Sequence, residues 1–300
     1  AEFARKHGPM PGRGAVVLGM GSLGAGRLHA HSDLDVIVIY DADGVETSDG
    51  RRPLPARTYY ARLAQALITA MTAPMSEGRL YEMDMRLRPS GNKGPVATSW
   101  PAFQDYQRNE AWVWEQLALT RAAAIVGPED MIRDIDAFRV ALAEIRNFET
   151  VAPALSKMRA RISSVKSVRS AWEFKIGPGR LQDIELFSQM GSLLAGRKKQ
   201  SVAAGITGLV ELGLIDQAQG EELKTAYEQF WMLQLGSKLL TEGAFDPEIV
   251  GDGGQSFILA LSKSEQLDTL QNKTTLRETA ARSIIEAVLP EPREDVDERG

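Results

Sequence analysis

Two aspartates, Asp33 and Asp35, lie two positions apart where a β-branched apolar stretch, residues 35–40, begins. Residues i and i+2 of a strand share a face, so this spacing predicts two carboxylates side by side. Such a pair is costly to hold together without cations, and hard divalent ions prefer oxygen ligands. The pair therefore predicts a metal site, although an isolated Asp-x-Asp is more often a solvated strand edge or a structural feature.

A glycine-rich turn, residues 19–24, precedes this pair and follows a short apolar strand at 15–18. Glycine lets backbone N–H groups approach phosphate oxygens closely, and Ser22 beside Gly21 could add a hydroxyl donor. The turn also matches the dinucleotide-binding spacing G-x-G-x-x-G. The acidic pair follows it too soon to include a ribose-binding acid, however, so a phosphate site beside a metal is the better interpretation.

Residues 79–88 alternate polar and apolar side chains, which predicts a strand whose polar face carries Glu82, Asp84, Arg86 and Arg88. Asp84 could complete a two-metal site suited to in-line displacement at phosphorus. Arg86 and Arg88 are suitable counter-charges for phosphates. Spacing alone does not choose between Asp84 and Glu82 as the third carboxylate.

The remaining pattern divides the chain into two halves. The first alternates strands with helices, one of them at 103–121, and the second carries long helix-periodic segments. These segments lie near 129–147, 151–168, 183–195, 216–241 and 266–288. We therefore expect an α+β domain with a mixed sheet at 1–128, an all-α helical bundle at 129–289, and a disordered Pro- and charge-rich tail at 290–300.

Composition excludes several classes of protein. The 300 residues suffice for about two domains. The net charge of −5 gives no reason to expect nucleic acid as a partner, and no apolar run suggests a membrane span. Cysteine is absent, which excludes thiolate chemistry and fits a reducing cytoplasm. Because the chain opens Ala1-Glu2-Phe3 without an initiator Met or a signal-peptide pattern, we interpret it as a cytoplasmic piece of a longer protein.

Four segments together resemble one family. They are residues 19–24, 32–40, 80–91, which include Asp84-Met-Arg-Leu-Arg-Pro-Ser-Gly91, and 175–185. The combination resembles glutamine-synthetase adenylyltransferases, members of the DNA polymerase β-like nucleotidyltransferase superfamily. The resemblance extends along nearly the whole chain, and the Asp-x-Arg-Leu-Arg-Pro-Ser-Gly run is particularly specific to these enzymes.

The resemblance implies an activity and its parts. Full-length members carry one half that removes AMP by phosphorolysis and one that attaches it, and residues 52–63 and 94–99 resemble the C-terminal, attaching half. The implied reaction transfers AMP from ATP to a tyrosine hydroxyl of glutamine synthetase, with PII signalling proteins and glutamine as regulators. Asp33 and Asp35 would bridge two Mg²⁺ ions, while Asp84 would hold the ion at the acceptor and act as general base.

Departures from the family pattern keep alternatives open. The family turn reads Gly-Lys-Leu-Gly-Gly-x-Glu, whereas this chain has Ser22, Ala25, Gly26 and Arg27 at the corresponding places. The altered turn favours one alternative, a catalytically weak module that senses nucleotide or PII proteins. Phosphorolytic removal of AMP would use the same acids. The acids Asp183 and Glu185, at a predicted helix start, fit either the helix dipole or a site.

Overall fold

The computed structural model describes residues 2–76, 78, 81–165, 170–198 and 200–292, which form two compact units. The first unit contains residues up to 28 and residues 32–145. Its elements are α1 (Glu2–His7), β1 (Gly14–Gly19), α2 (Gly21–Gly24), β2 (Leu34–Asp41), α3 (Ala56–Thr72), β3 (Met83–Asp84), β4 (Thr98–Ser99), α4 (Trp100–Asn109), α5 (Val113–Leu119), β5 (Ala123–Val126) and α6 (Glu129–Ala141), with 3₁₀ turns at Gly91–Lys93 and Leu142–Ile145.

These strands form a five-stranded mixed sheet, as predicted. Its order is β3-β2-β1-β5, and β4 also pairs with β2. Strand β1 runs antiparallel to β2 and β5, whereas β3 and β4 run parallel to β2. The central strand β2 is buried on both faces from Val36 to Tyr40, and α3 covers it by stacking Tyr60 on Tyr40 with ring centroids 4.3 Å apart. Packing in the sheet and against α3 therefore fixes the position of β2.

The strand predicted at 79–88 is much shorter than its alternation suggested. Among the described residues of this stretch only Met83–Asp84 pairs as a strand; Arg79 and Leu80 lie outside the described residues. The chain turns after Met85 because Arg88 donates hydrogen bonds to the carbonyls of Met85, Asn92 and Gly94 at 2.8, 3.3 and 3.2 Å. Arg86 and Arg88 therefore follow the strand in a turn and do not share its polar face.

The helix predicted at 103–121 is also interrupted, and α4 and α5 replace it. Glu115 explains the break. Its carboxylate accepts hydrogen bonds from the Trp112 backbone N–H at 3.0 Å and from the Tyr106 hydroxyl at 2.9 Å. A side chain that satisfies the N–H of residue i−3 caps a new helix start. Burial raises the pKa of Glu115, in spite of these hydrogen bonds.

In the described part of the second unit, all the regular elements are helices. This unit contains residues 29–31 and the described residues between 146 and 292. Its helices are α7 (Phe148–Val165), α8 (Leu181–Leu194), α9 (Val202–Glu211), α10 (Gln217–Leu240), α11 (Pro247–Ser262) and α12 (Leu267–Val288). The predicted bundle is thus confirmed, with α9 and α11 in addition. None of the helices in the described part of the chain is long and apolar enough to span a membrane.

The division between the units falls at 145/146 instead of the predicted 128/129. Helix α6 packs with the sheet because Arg13, before β1, pairs with Asp130 at 2.9 Å and with Asp134 at 2.7 Å. On its apolar side, Phe138 contacts the Trp100 ring at 5.4 Å between centroids. Residues 293–300 of the predicted tail lie outside the described residues.

Candidate active site

The register of two parallel strands brings Asp35 and Asp84 together. Strand β2 pairs with β3 so that Leu34 lies opposite Met83 and Asp35 lies opposite Asp84. Neighbouring strands are about 4.8 Å apart, and residues in register project to the same face. The two carboxylates therefore project side by side from adjacent strands. Asp33 lies exposed one residue before β2 begins.

The glycine turn lies directly against this acidic pair. Met20 donates its backbone N–H to the carbonyl of Asp35 at 2.8 Å, which ties the turn to β2. Gly21 then adopts a left-handed φ of +52°, and a Cβ placed there would lie 2.8 Å from Oδ2 of Asp35. Only glycine fits at this position without displacing the carboxylate. Ser22 follows, half-buried, in the short helix α2.

Arg86 supplies the positive charge at the acids. Its Nε and Nη2 lie 2.7 and 2.5 Å from Oδ2 of Asp84, and its backbone N–H donates to Oδ1 at 2.8 Å. The side-chain hydrogen bond from Arg86 is the main reason that the pKa of Asp84 is lowered. The pKa of Arg86 is raised in return, first by Asp84 and then by the charges of Asp35 and Asp33. The Arg86 guanidinium therefore interacts electrostatically with all three predicted acids.

The donor set fits a divalent cation in its chemistry. Carboxylate oxygens are the ligands that Mg²⁺ prefers, and Asp35 and Asp84 offer them in register. Within the described residues, however, no three acidic or histidine side chains converge closely enough to form a metal centre. At Asp84 the Arg86 guanidinium lies where a cation would bind, so the two would compete for the same oxygens.

The other predicted site residues are placed differently. Arg88 uses its guanidinium to hold the turn at 85–94 together, as described above. The contact between the Arg86 N–H and the Asp84 carboxylate is an Asx turn. The spacing of an Asp two residues before Arg in a turn-forming stretch could have indicated it. The sequence predicts Arg86 only as a counter-charge for phosphate.

Asp183 belongs to an ion pair within the helical unit. Its carboxylate accepts hydrogen bonds from Nε and Nη2 of Arg159 at 2.5 and 2.8 Å and from the Gly179 backbone N–H at 2.7 Å. It lies in the first turn of α8, whereas Glu185 lies two residues further along the helix and is half-buried. The contacts of Asp183 support the helix-start interpretation of this segment.

A mixed sheet with in-register acids beside a glycine turn, followed by a helical unit, agrees with the predicted fold class, a nucleotidyltransferase domain and a helical bundle. The sequence model of the glutamate-ammonia ligase adenylyltransferase family matches residues 3–152. That match covers half of the chain, and the chain belongs to this family.

Individual relatives extend the similarity into the second unit. A bifunctional glutamine synthetase adenylyltransferase/adenylyl-removing enzyme of Mesorhizobium japonicum is 40% identical over 93% of this chain and 29% of its own length. The protein of the same description from Rhizobium meliloti is 39% identical over 96% of the chain and 30% of its length. That of Brucella suis is 47% identical over 66% of the chain and 20% of its length. The chain therefore spans less than a third of these relatives.

Proposed function

We propose that this protein transfers AMP from ATP to a tyrosine hydroxyl of glutamine synthetase and releases pyrophosphate. The observation that supports the proposal most strongly is the register that sets Asp35 opposite Asp84 beside the Gly21 turn. The names of the relatives supply glutamine synthetase as the target and adenylyl transfer as the reaction. AMP transfer implies ATP as the donor.

The reaction forms one bond and breaks another. The tyrosine oxygen bonds to the α-phosphorus of ATP, the bond from that phosphorus to the bridging oxygen breaks, and pyrophosphate leaves. Asp84 accepts the tyrosine proton as general base, and an aspartate is already ionised at neutral pH at its ordinary pKa of about 3.9. The Arg86 contact lowers the pKa of Asp84 and so weakens it as a base while that contact lasts. The Gly21 and Ser22 turn would contact the β- and γ-phosphates, with Arg86 and Arg88 as counter-charges.

Asp33, Asp35 and Asp84 would hold two Mg²⁺ ions. These ions would supply charge stabilisation at the phosphates and lower the pKa of the tyrosine hydroxyl, which is near ~10 in water. The chain's own contribution is to keep the Asp35 and Asp84 carboxylates in register on two paired strands. We further infer that PII proteins and glutamine regulate the reaction, as in the family that the sequence resembles.

The relatives' shared name covers a second activity, removal of AMP. Phosphorolysis would use the same acids with phosphate in place of pyrophosphate. An acceptor assay separates the two reactions. Unmodified glutamine synthetase with labelled ATP reports attachment, and adenylylated glutamine synthetase with phosphate reports removal as ADP.

The test incubates the purified protein with Mg²⁺, labelled ATP and unmodified glutamine synthetase, with and without PII protein and glutamine. We expect label on a tyrosine of glutamine synthetase, and we expect Asp35→Asn to abolish it while the melting temperature stays unchanged. Asn keeps the size of the side chain but loses the charge that a cation needs. ATP binding without any labelled product would instead support a nucleotide-sensing module. An Asp35→Asn variant that keeps more than about a tenth of the transfer, about 1.4 kcal/mol in barrier height, would contradict the assignment of the acids.

A further inference from the structure

Both oxygens of the Asp84 carboxylate are already engaged, although the residue belongs to the acid site. Nε and Nη2 of Arg86 bind Oδ2, and the Arg86 backbone N–H binds Oδ1. The two side chains differ in their freedom. That of Asp84 is 16% exposed and held on a paired strand, whereas that of Arg86 is 71% exposed. Little packing therefore opposes movement of the guanidinium away from the carboxylate.

The Arg86 guanidinium also reduces the electrostatic repulsion between the acids. Two carboxylates in register repel each other, and a nearby third acid adds to the repulsion. A guanidinium beside them relieves it and requires no bound ion. A divalent cation needs the same carboxylate lone pairs, so it cannot bind Asp84 fully while Arg86 keeps both of its contacts to Oδ2.

We propose that Arg86 is a displaceable counter-ion: its guanidinium neutralises the acids until a divalent cation arrives, and then turns to the phosphates of ATP. The inference rests on the proposed function, because it takes Asp35 and Asp84 as the cation site. Arg86 thereby couples the two binding events, since the cation frees the arginine that the triphosphate then uses.

This coupling predicts effects of opposite sign from one substitution. Arg86→Gln removes the competitor of the cation, so a cation alone should bind more tightly. The same variant lacks the arginine that moves to the phosphates, so ATP should bind more weakly once the cation is saturating. An arginine that only held the turn in shape would, when removed, weaken both. An arginine permanently on the phosphates would leave cation binding unchanged.

The experiment titrates the nucleotide-free protein with Mn²⁺, a paramagnetic substitute for Mg²⁺, and follows free Mn²⁺ by electron paramagnetic resonance. We expect Arg86→Gln to bind Mn²⁺ about threefold or more tightly than the wild type. The matched control is Arg57→Gln, which removes the same charge from the same unit at an exposed position in the first turn of α3. It should leave the Mn²⁺ affinity within about a factor of 1.5, because simple loss of charge at a distance is screened by salt.

A second titration uses a non-hydrolysable ATP analogue at saturating Mn²⁺, where we expect Arg86→Gln to bind about tenfold more weakly. Arg86→Lys keeps the charge without the two-pronged contact, and its Mn²⁺ affinity should lie between those of the wild type and Arg86→Gln. Unchanged or weaker Mn²⁺ binding by a folded Arg86→Gln variant would overturn the inference.

Asp35→Asn distinguishes that failure from a failure of the proposed function. If Asp35→Asn loses Mn²⁺ binding while Arg86→Gln leaves it unaltered, the acid site stands and only the role of Arg86 is wrong. If Asp35→Asn binds Mn²⁺ as the wild type does, the acids are not the cation site, and both proposals fall.

Discussion

Two acids at the same edge of the sheet, Asp84 and Glu82, meet different surroundings. Asp84 lies in strand β3 opposite Asp35 and carries the Arg86 guanidinium. Glu82 comes before the strand with an exposed side chain, and its backbone carbonyl accepts the Leu34 N–H at 2.8 Å. The backbone of Glu82 thus sets the register, while the side chain of Asp84 is the one that the register brings to the acid site.

At the residue scale we therefore predict different results from two isosteric substitutions. Asp84→Asn should lower the rate of AMP transfer about a hundredfold or more, because in the proposed reaction Asp84 is both a cation ligand and the general base. It should spare most of the ATP affinity. Glu82→Gln should change little, because the backbone hydrogen bond that sets the register remains. Transfer to glutamine synthetase and ATP binding are measured for both variants. An inactive Glu82→Gln beside an active Asp84→Asn would reverse the assignment.

Two elements must meet for the site to form: the segment from Met20 into α2, and the start of β2. They are tied by the hydrogen bond from Met20 to the carbonyl of Asp35. Gly21 lies against the Asp35 side chain, whereas Gly26, two residues after the end of α2, also has a left-handed φ of +66° but open space around it. The two glycines share a backbone conformation and differ in what a side chain would contact.

At the element scale this difference predicts separable effects of adding one methyl group. Gly21→Ala and Gly26→Ala should each cost about 1 kcal/mol of folding free energy, because alanine disfavours a left-handed conformation. Only Gly21→Ala should also abolish transfer, because its Cβ would push Oδ2 of Asp35 from its place. For each variant, denaturant unfolding measures the folding free energy and the transfer assay measures the activity. Equal activity in the two variants would show that contact with the turn does not position Asp35.

Each unit of the molecule carries its own core and its own buried polar contacts. In the helical unit, Arg159 and Asp183 form an ion pair whose side chains are 15% and 8% exposed, and this pair also receives the Gly179 N–H. By contrast, Glu221 and Lys224 pair at 2.9 Å on the surface of α10, where the Glu221 side chain is 59% exposed. The unit thus offers a buried and an exposed ion pair for comparison.

At the scale of the whole molecule we predict that the buried pair supports the helical unit alone. Asp183→Asn should destabilise it by about 3 kcal/mol, because the Arg159 charge loses its buried partner. Glu221→Gln should cost less than about 0.5 kcal/mol, since exposed ion pairs contribute little. Hydrogen exchange resolved along the chain measures both effects. Faster exchange should appear in α7 and α8, with protection in the sheet unchanged; a uniform loss of protection would contradict the assignment.

The sequence by itself determined the class of fold and the types of most elements, and it predicted the acids as a metal site. The periodicity of apolar side chains is a local property, so it correctly predicts a buried strand at residues 35–40 and helices in the long segments after 146. The same periodicity predicts too long a strand at 79–88. Alternation of polar and apolar residues does not reveal that Arg88 donates hydrogen bonds to three carbonyls, which turn the chain.

Only the tertiary structure decided which groups meet. Strand register is a long-range property, and it places Asp84, and not Glu82, opposite Asp35. The position of the boundary between the two units also depends on contacts between residues far apart in the sequence. Helix α6 joins the sheet because its acids and Phe138 contact Arg13 and Trp100, partners far away in sequence. The pairing of Arg86 with the acids likewise depends on how the turn after β3 folds back, which side-chain spacing in a presumed strand could not show.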